Sequence, residues 1–249
     1  MPHIDDSVCA VVPVYNAKAT LSELVNRLER ALCAFSAYSV VLVDDGSADG
    51  SRELIGELCA KSAHVTGILL RGNFGQQSAL LCGLRHAQGN CAAIIDDDLE
   101  QAPEDILTLY RLLRTGYDAV YGTPQSSGKG AFRGLGSRLR DRLFDRITDK
   151  PKNVRVCSFR ILTRDLKEKV IRADTRFVYI SLEMLRHTKN VKSVEVSYAP
   201  SPRSGYRAAR LMALLAKMYV YYAPKTLWKC LRRRGACYEI ERVIQGGGA

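Results

Sequence analysis

Cys91-Ala92-Ala93-Ile94-Ile95-Asp96-Asp97-Asp98-Leu99-Glu100 runs from an apolar segment directly into three carboxylates. An apolar run of this length, bounded by polar residues, suits a strand buried on both faces of a parallel sheet. Such a strand delivers its terminal charges to one edge of the sheet. If the backbone stays extended, side chains alternate, so Asp96 and Asp98 share one side and Asp97 takes the other. Two carboxylates on one side suit a hard cation, Mg²⁺ or Mn²⁺, that keeps open positions for phosphate oxygens. A plainer reading stands beside this one. Pro103, Glu104 and Asp105 make a good helix start, and an acidic turn before a helix is ordinary solvated surface.

The residues upstream repeat one pattern and favour the first reading. Val8 to Val14 reads as a buried strand that Pro13-Val14-Tyr15-Asn16 carries into a loop. Thr20 and Glu23 have capping-box spacing, and Leu21, Leu24, Val25, Leu28 and Leu32 recur at helical pitch. Ser39 to Val43 is a second strand, ending in the turn-rich run Asp44-Asp45-Gly46-Ser47-Ala48-Asp49-Gly50-Ser51. A helix through Leu54, Ile55 and Leu58 leads to a third strand, Thr66 to Leu70, the loop Arg71-Gly72-Asn73-Phe74-Gly75, and a helix from Gln76 to Ala87. After the acidic strand come a helix from Pro103 to Thr115, stopped by Gly116, and a fifth strand from Tyr117 to Thr123. Strands alternating with helices imply an α/β fold with a mostly parallel sheet and helices on both faces. In such sheets ligands bind beyond the carboxyl ends of the strands, where Tyr15-Asn16, Asp44-Asp45, the Arg71 to Gly75 loop and Asp96 to Glu100 converge. Neither G-x-G-x-x-G nor G-x-x-x-x-G-K-[ST] is present, so phosphates are expected to be held through a metal.

Beyond Thr123 the rhythm breaks. Gln125 to Gly136 is rich in Gly and Ser and carries Lys129 and Arg133, which fits a loop at the mouth of the site or a surface linker. Leu135 to Ile147 reads as a basic helix, Val154 to Leu162 as a strand, Thr163 as the cap of a short helix, and Val178 to His187 as a further helix. Val191 to Tyr198 is expected to close the sheet. Between Val196 and Tyr238 there is no acidic residue, while Arg203, Arg207, Arg210, Lys217 and Arg232-Arg233-Arg234 are interleaved with Leu, Met and aromatic residues. An interfacial helix on an anionic membrane is the favoured reading, with a core helix and a nucleic-acid patch as the others.

With 249 residues, the chain accommodates one α/β domain over 1–200 and an appendage of basic amphipathic helices and tail over 201–249. A net charge of +11 points to anionic partners without choosing among nucleic acid, lipid headgroups and phosphorylated substrates. Eight cysteines without C-x-x-C or metal-ligand spacing read as reduced core residues. Met1 to Asp6 shows no leader-like pattern and no window has the apolar length of a membrane span. The expectation is a cytoplasmic protein, peripheral at the cytoplasmic membrane face.

Taken in order, Val12-Pro13-Val14-Tyr15-Asn16, Val43-Asp44-Asp45-Gly46-Ser47, Arg71-Gly72-Asn73-Phe74-Gly75, Asp96-Asp97-Asp98-Leu99-Glu100 and Ser158-Phe159-Arg160 resemble family 2 glycosyltransferases. The nearest likeness is to the polyprenyl-phosphate branch, with dolichyl-phosphate mannose synthases and undecaprenyl-phosphate formamido-arabinose transferases, and it covers Val8 to Tyr222. That resemblance implies a GT-A fold and inverting, metal-dependent sugar transfer from a nucleotide diphospho-sugar to a lipid phosphate or similar amphiphilic acceptor. It further implies donor contacts from Pro13, Tyr15, Asn16, Val43, Asp44, Asp45, Asp97 and Arg203, and Mg²⁺ or Mn²⁺ on Asp98 with Asp96. Asp96, Asp98, Glu100 and Arg160 form the implied catalytic group, with Arg160, and Arg203 beside Tyr206, as candidates for phosphate contacts. Ala17, Pro124 and Gly205 depart from the family pattern, as does Glu100 where Gln is common. A soluble transferase acting on a small molecule, glycan or protein is the alternative within the fold. A non-catalytic nucleotide-sugar binding protein is the alternative outside it, and nucleic-acid binding ranks last.

Overall fold

The protein's structure is a computed structural model that describes residues 4–125, 151–199, 218, 220–222 and 235–247. In chain order the elements are β1 (Ile4–Val14), α1 (Lys18–Leu32), β2 (Phe35–Asp44), α2 (Ser51–Lys61), β3 (Val65–Leu70), α3 (Gln76–His86) and β4 (Cys91–Ile94). A 3₁₀ turn (Pro103–Asp105) then leads into α4 (Ile106–Leu113), followed by β5 (Ala119–Pro124), β6 (Arg160–Thr163), α5 (Arg164–Val170), α6 (Ile180–His187), β7 (Val191–Val196) and β8 (Ile240–Ile244). The strands form one sheet in the order β7-β5-β6-β4-β1-β2-β3-β8. Its centre, β4-β1-β2-β3, is parallel, β6 is antiparallel to both β4 and β5, and β8 is antiparallel to β3.

Alternation along β1 builds a core on each face of the sheet. Val8, Ala10, Val12 and Val14 meet the apolar stripes of α1, α2 and α4, while Cys9 and Val11 meet α3, α5 and α6. In α3 the close approach is made by Gly83, where a Cβ would stand 2.4 Å from Val11 Cγ1. The parallel strands end flush: Val14 pairs with Asp44 and Asp44 with Leu69, so the loops that follow leave the sheet at one level. This alignment makes the common edge expected from sequence.

Four expectations about the elements change. Helix α1 begins at Lys18, and Thr20 and Glu23 do not form a capping box; the Thr20 hydroxyl donates instead to the carbonyls of Ala17 and Asp97. The amides at the start of that helix are satisfied from the next loop, Asn16 by Ser47 Oγ, Ala17 by Ser51 Oγ and Lys18 by Asp49 Oδ2. The strand expected over Val154 to Leu162 is confined to Arg160–Thr163. Cys157 Sγ at 2.7 Å and the Tyr198 hydroxyl at 3.0 Å donate to the Gly122 carbonyl, occupying the acceptor that a longer β5 to β6 ladder would use.

The sheet also does not close at Val191–Val196, and residues 201–249 are not only helices and tail, because β8 extends the far edge of the sheet. Ile240 and Ile244 are half-buried there, and Met218 and Tyr222 are buried in the core beside α6. Those two positions of the basic-aromatic stretch follow the core-helix reading. The expected loop over 126–136, the basic helix over 135–147 and residues 200–217 and 223–234, with Arg203 and Gly205, lie outside the described residues.

Two glycines test this packing. Gly56 on α2 has open space where a Cβ would stand, so Gly56→Ala should raise stability by about 0.5–1 kcal/mol through helix propensity. Gly83→Ala should lower it by about 1–3 kcal/mol by overpacking Val11. Denaturant midpoints at constant slope read both, and equal effects at the two sites would contradict the close approach of α3.

Candidate active site

At the flush edge the backbone of the acidic segment does not stay extended. Strand β4 stops at Ile94, the chain turns at Asp97-Asp98, and Leu99 adopts φ 60°. The alternation argument for Asp96 and Asp98 therefore gives way to a turn held by hydrogen bonds. Gln101, almost wholly buried, accepts the Asp96 N–H through Oε1 at 2.9 Å and donates from Nε2 to Asp96 Oδ2 at 2.7 Å and to Ser158 Oγ at 3.1 Å. Gln76 Nε2, at the start of α3, donates to Asp96 Oδ1 at 2.6 Å. Asp98 Oδ1 accepts the Glu100 N–H at 3.0 Å, and the Glu100 carbonyl accepts the Ala199 N–H at 2.8 Å. Asp97 turns to the other side and accepts the Tyr15 N–H at 2.9 Å through Oδ2. Burial, reinforced by the charges of Asp96 and Asp98, pushes its pKa up to about 6 against the relief from Tyr15.

The neighbouring loops are built the same way. Asp44 is fully buried at the end of β2 and accepts the N–H groups of Gly46 at 3.1 Å and Ser47 at 3.2 Å, with Arg52 Nη1 3.7 Å away. Asp45 accepts Phe74 N–H at 2.7 Å and Gly75 N–H at 2.8 Å. Burial raises its pKa, those amides lower it, and the Asp44 charge raises it again. Gly46, at φ 75°, lies so close to the β3 loop that a Cβ would stand 2.8 Å from Asn73 N. Asn16, at φ 53°, accepts the Ala48 N–H at 2.9 Å through Oδ1. Pro13 and Val43 are cross-strand partners buried in the sheet and form the floor below these loops. Tyr15 and Phe74, by contrast, are 50% and 40% exposed, leaving two aromatic rings in the open at this edge.

Arg160 lies in β6 opposite Ile94, 2% exposed, and does not project as an open phosphate hook. Its Nη1 donates to Ser181 Oγ and, at 3.4 Å, to the Cys157 carbonyl. Its Nε and the hydroxyl of its cross-strand partner Tyr121 are buried without hydrogen-bond partners among the described residues. Arg160 lies within electrostatic reach of the Cys157 thiol, whose pKa is raised to about 11 by burial, lowered by Arg160 and raised again by Asp96. Tyr198 stands in the same group: burial, the Cys157 thiol, Asp96 and Glu100 all push its hydroxyl pKa up.

The structure thus gathers Pro13, Tyr15, Asn16, Val43, Asp44, Asp45, Asp96, Asp97, Asp98 and Glu100 at one edge, with Arg160 set into the sheet beside it. Gln76, Gln101 and Tyr198 belong to the site and do not stand out in the sequence. Glutamine carries no charge signal, and Tyr198 arrives from the end of β7 through long-range pairing. Among the described residues no three His, Cys, Asp or Glu side chains converge as a metal-binding group. The donor set nevertheless fits a hard cation that takes one or two carboxylates and completes its shell with phosphate and water oxygens. Asp96 and Asp98 would supply the carboxylates, each oriented by a hydrogen bond.

The profile of Glycosyl transferase family 2 matches residues 9–171. The undecaprenyl-phosphate 4-deoxy-4-formamido-L-arabinose transferase of Klebsiella pneumoniae subsp. pneumoniae is 32% identical over 214 residues, 84% of this chain and 65% of that protein. Its counterpart from Sodalis glossinidius is 32% identical over 217 residues, 86% of this chain and 66% of that one. The chain thus spans 65–66% of the length of these two relatives. Among solved structures, glucosyl-3-phosphoglycerate synthase from Mycobacterium tuberculosis with UDP aligns at TM-score 0.65 and 16% identity, over 86% of this chain and 78% of that one. A mannosyltransferase from Pyrobaculum calidifontis, in complex with GDP-Man and Mn²⁺, aligns at 0.62 and 18%, over 88% of this chain and 65% of that one. At those identities the likeness shows the GT-A-like α/β fold.

An unfolded chain releases the Asp97 proton near 3.8 and the folded chain near 6. The folded state holds that proton more tightly between those values, so the stability it contributes is complete below about pH 4 and lost as pH rises to about 6. With asparagine at this position, the side-chain amide oxygen can still accept the Tyr15 N–H. In chelator-treated protein, the stability advantage of Asp97→Asn should therefore grow from about pH 4 to 6 and level above, with a ceiling of about 3 kcal/mol. Urea melts across that range test it, and a difference that does not change with pH would refute the assignment. Gln101→Ala should weaken Mn²⁺ binding by about 10–100-fold, read by calorimetric titration, because Asp96 loses the partner that orients it.

Proposed function

The chain belongs to glycosyltransferase family 2, and from that premise we propose that it transfers a sugar, with inversion, from a nucleotide diphospho-sugar to a polyprenyl phosphate or similar amphiphilic acceptor. The observation that carries this reading is the Asp97 to Tyr15 bond. It ties the acidic turn to the first loop, so an open aromatic ring and two oriented carboxylates sit on one edge. A nucleoside diphosphate is aromatic at one end and polyanionic at the other. The relatives named as undecaprenyl-phosphate transferases support the acceptor class, and Mn²⁺ in complexes of structural neighbours supports a divalent ion without choosing between Mn²⁺ and Mg²⁺.

In this mechanism Tyr15 stacks on the base, while Asp44 and Asp45 hold the loops around it. A divalent cation on Asp98 and Asp96 would offset the charge that develops on the departing nucleoside diphosphate. Buried Arg160 adds a fixed positive charge beneath that edge. A phosphate oxygen of the acceptor attacks the anomeric carbon opposite the leaving group, forming one C–O bond as the bond to the diphosphate breaks, which inverts the centre. The acceptor is already ionised at neutral pH, so a strong general base is unnecessary.

A second reading keeps the donor chemistry and replaces the lipid with a soluble phosphorylated acceptor. It is favoured by the burial of Met218 and Tyr222, which takes two positions of the basic-aromatic stretch away from a membrane-facing role. No helix among the described residues is long and apolar enough to cross a membrane. One structural neighbour, the Mycobacterium tuberculosis synthase, was solved in complex with phosphoglyceric acid. Association with anionic vesicles and a placement at the membrane surface belong to the first reading alone.

Asp98→Ala should reduce transfer to background with an unchanged circular dichroism spectrum. UDP, GDP, CDP and dTDP should be compared by thermal shift with and without Mn²⁺, where one base should stabilise the chain in a cation-dependent way, by about 2.7 kcal/mol at a hundredfold excess over Kd. Full transfer by the Asp98 variant would remove the metal assignment. Transfer to undecaprenyl phosphate but not to phosphoglyceric acid would decide between the acceptor classes.

A further inference from the structure

Strand β8 reaches the proposed donor site from outside. Arg71, the first residue of the β3 loop, donates its N–H to the Glu239 carbonyl at 3.0 Å and places Nε 2.9 Å from Glu239 Oε1. Arg52 on α2 spans three elements: Nη2 lies 2.6 Å from Glu241 Oε2, while Nη1 lies 3.2 Å from the Leu70 carbonyl and 3.7 Å from the buried Asp44 carboxylate. The strand is fastened at both ends. Tyr238 accepts from Arg85 Nη1 at 2.9 Å, and Gly247 N–H donates to the Cys59 carbonyl at 3.1 Å. Between those ends β8 pairs with β3 from Gly67 to Leu70. The Arg71 to Gly75 loop is therefore held on its inner side by Asp45 and on its outer side by Glu239.

We propose that β8 and the residue leading into it, through Glu241 and Glu239, position the donor-side loops for nucleotide binding. Arg52 lies between two carboxylates, the near one exposed on Glu241 and the farther one buried on Asp44. With the Glu241 charge removed, Arg52 is drawn towards Asp44, where it competes with the Gly46 and Ser47 amides that shape the loop after β2. With the Glu239 charge removed, Arg71 loses its side-chain ion pair and keeps only the main-chain bond to the Glu239 carbonyl, so the outer hold on the loop weakens. Exposed ion pairs add little to global stability, so the consequence falls on loop geometry. Glu239 and Glu241 are positioning residues and need not touch the ligand.

The inference rests on the nucleotide-sugar reading, and one experiment separates the two. In the full chain, Glu239→Gln combined with Glu241→Gln should speed hydrogen exchange at the Gly46, Ser47, Phe74 and Gly75 amides by about tenfold, leaving Val11 and Val12 unchanged. The same variant should bind UDP or GDP with Mn²⁺ about 3–30-fold more weakly, and Glu241→Asp alone should stay close to the parent. Absence of nucleotide binding by the parent overturns the donor reading and, with it, the inference. Binding by the parent with unchanged affinity and exchange in the variant overturns the inference alone. Faster exchange across the whole sheet also overturns it, since β8 would then be a structural edge and nothing more.

Discussion

The site depends on carboxylates of one loop capturing the main-chain amides of another. Asp97 after β4 takes Tyr15 N–H after β1, Asp45 after β2 takes Phe74 and Gly75 after β3, and Asp49 after β2 takes Lys18 at the start of α1. A loop amide withdrawn from water needs an acceptor, and an ionised carboxylate makes a stronger one than a carbonyl. Each bond therefore satisfies a donor and fixes the spacing between two adjacent loops. The flush ends of the strands make this possible, because loops leaving at one level lie within reach of each other's side chains. A slip of one residue in the register would turn these carboxylates to the wrong face.

Concentrating acid at one edge has an electrostatic cost, and burial raises the Asp45 and Asp97 pKa values accordingly. The strain is relieved locally by amides and glutamine side chains, with Arg52 the nearby cation on the β2 side. Gln76 and Gln101 donate to Asp96 without adding charge, so both of its oxygens are oriented by neutral groups. A lysine in either place would neutralise the charge that a cation needs. Arg160 is set into the sheet beside this edge, buried and turned to Ser181 and the Cys157 carbonyl.

Much of this is legible in the sequence because buried parallel strands are written as apolar runs. The positions of β1 to β4 and of the helices between them follow from periodicity, and the polar ends of those runs name most of the site. The acidic segment misleads in its backbone: Asp97-Asp98 forms a turn and Leu99 enters the left-handed region, which a strand-like apolar run does not announce. Gln101 is hidden because its role comes from burial next to Ser158, a contact made across a long stretch of chain. The capping box expected of Thr20 and Glu23 fails for a related reason. Residues of the neighbouring loop supply the amides with better acceptors, and a local motif does not show which partners the fold will bring.

The two halves of the sheet are held differently. From β4 to β3 the strands are parallel, and their loops are joined by paired carboxylates and amides, an arrangement that fixes distances among Tyr15, Asp45 and Asp96. On the other side β6 runs antiparallel, and residues 154–159 lead into it as irregular chain, held where Cys157 and Tyr198 both donate to the Gly122 carbonyl. A hydroxyl and a thiol meeting one carbonyl hold a segment without dictating a long register. The sheet thus joins cross-braced parallel strands to a loosely registered antiparallel side, and the acidic turn lies at the boundary, bonded to the first loop through Asp97 and to the irregular segment through Gln101 and Ser158.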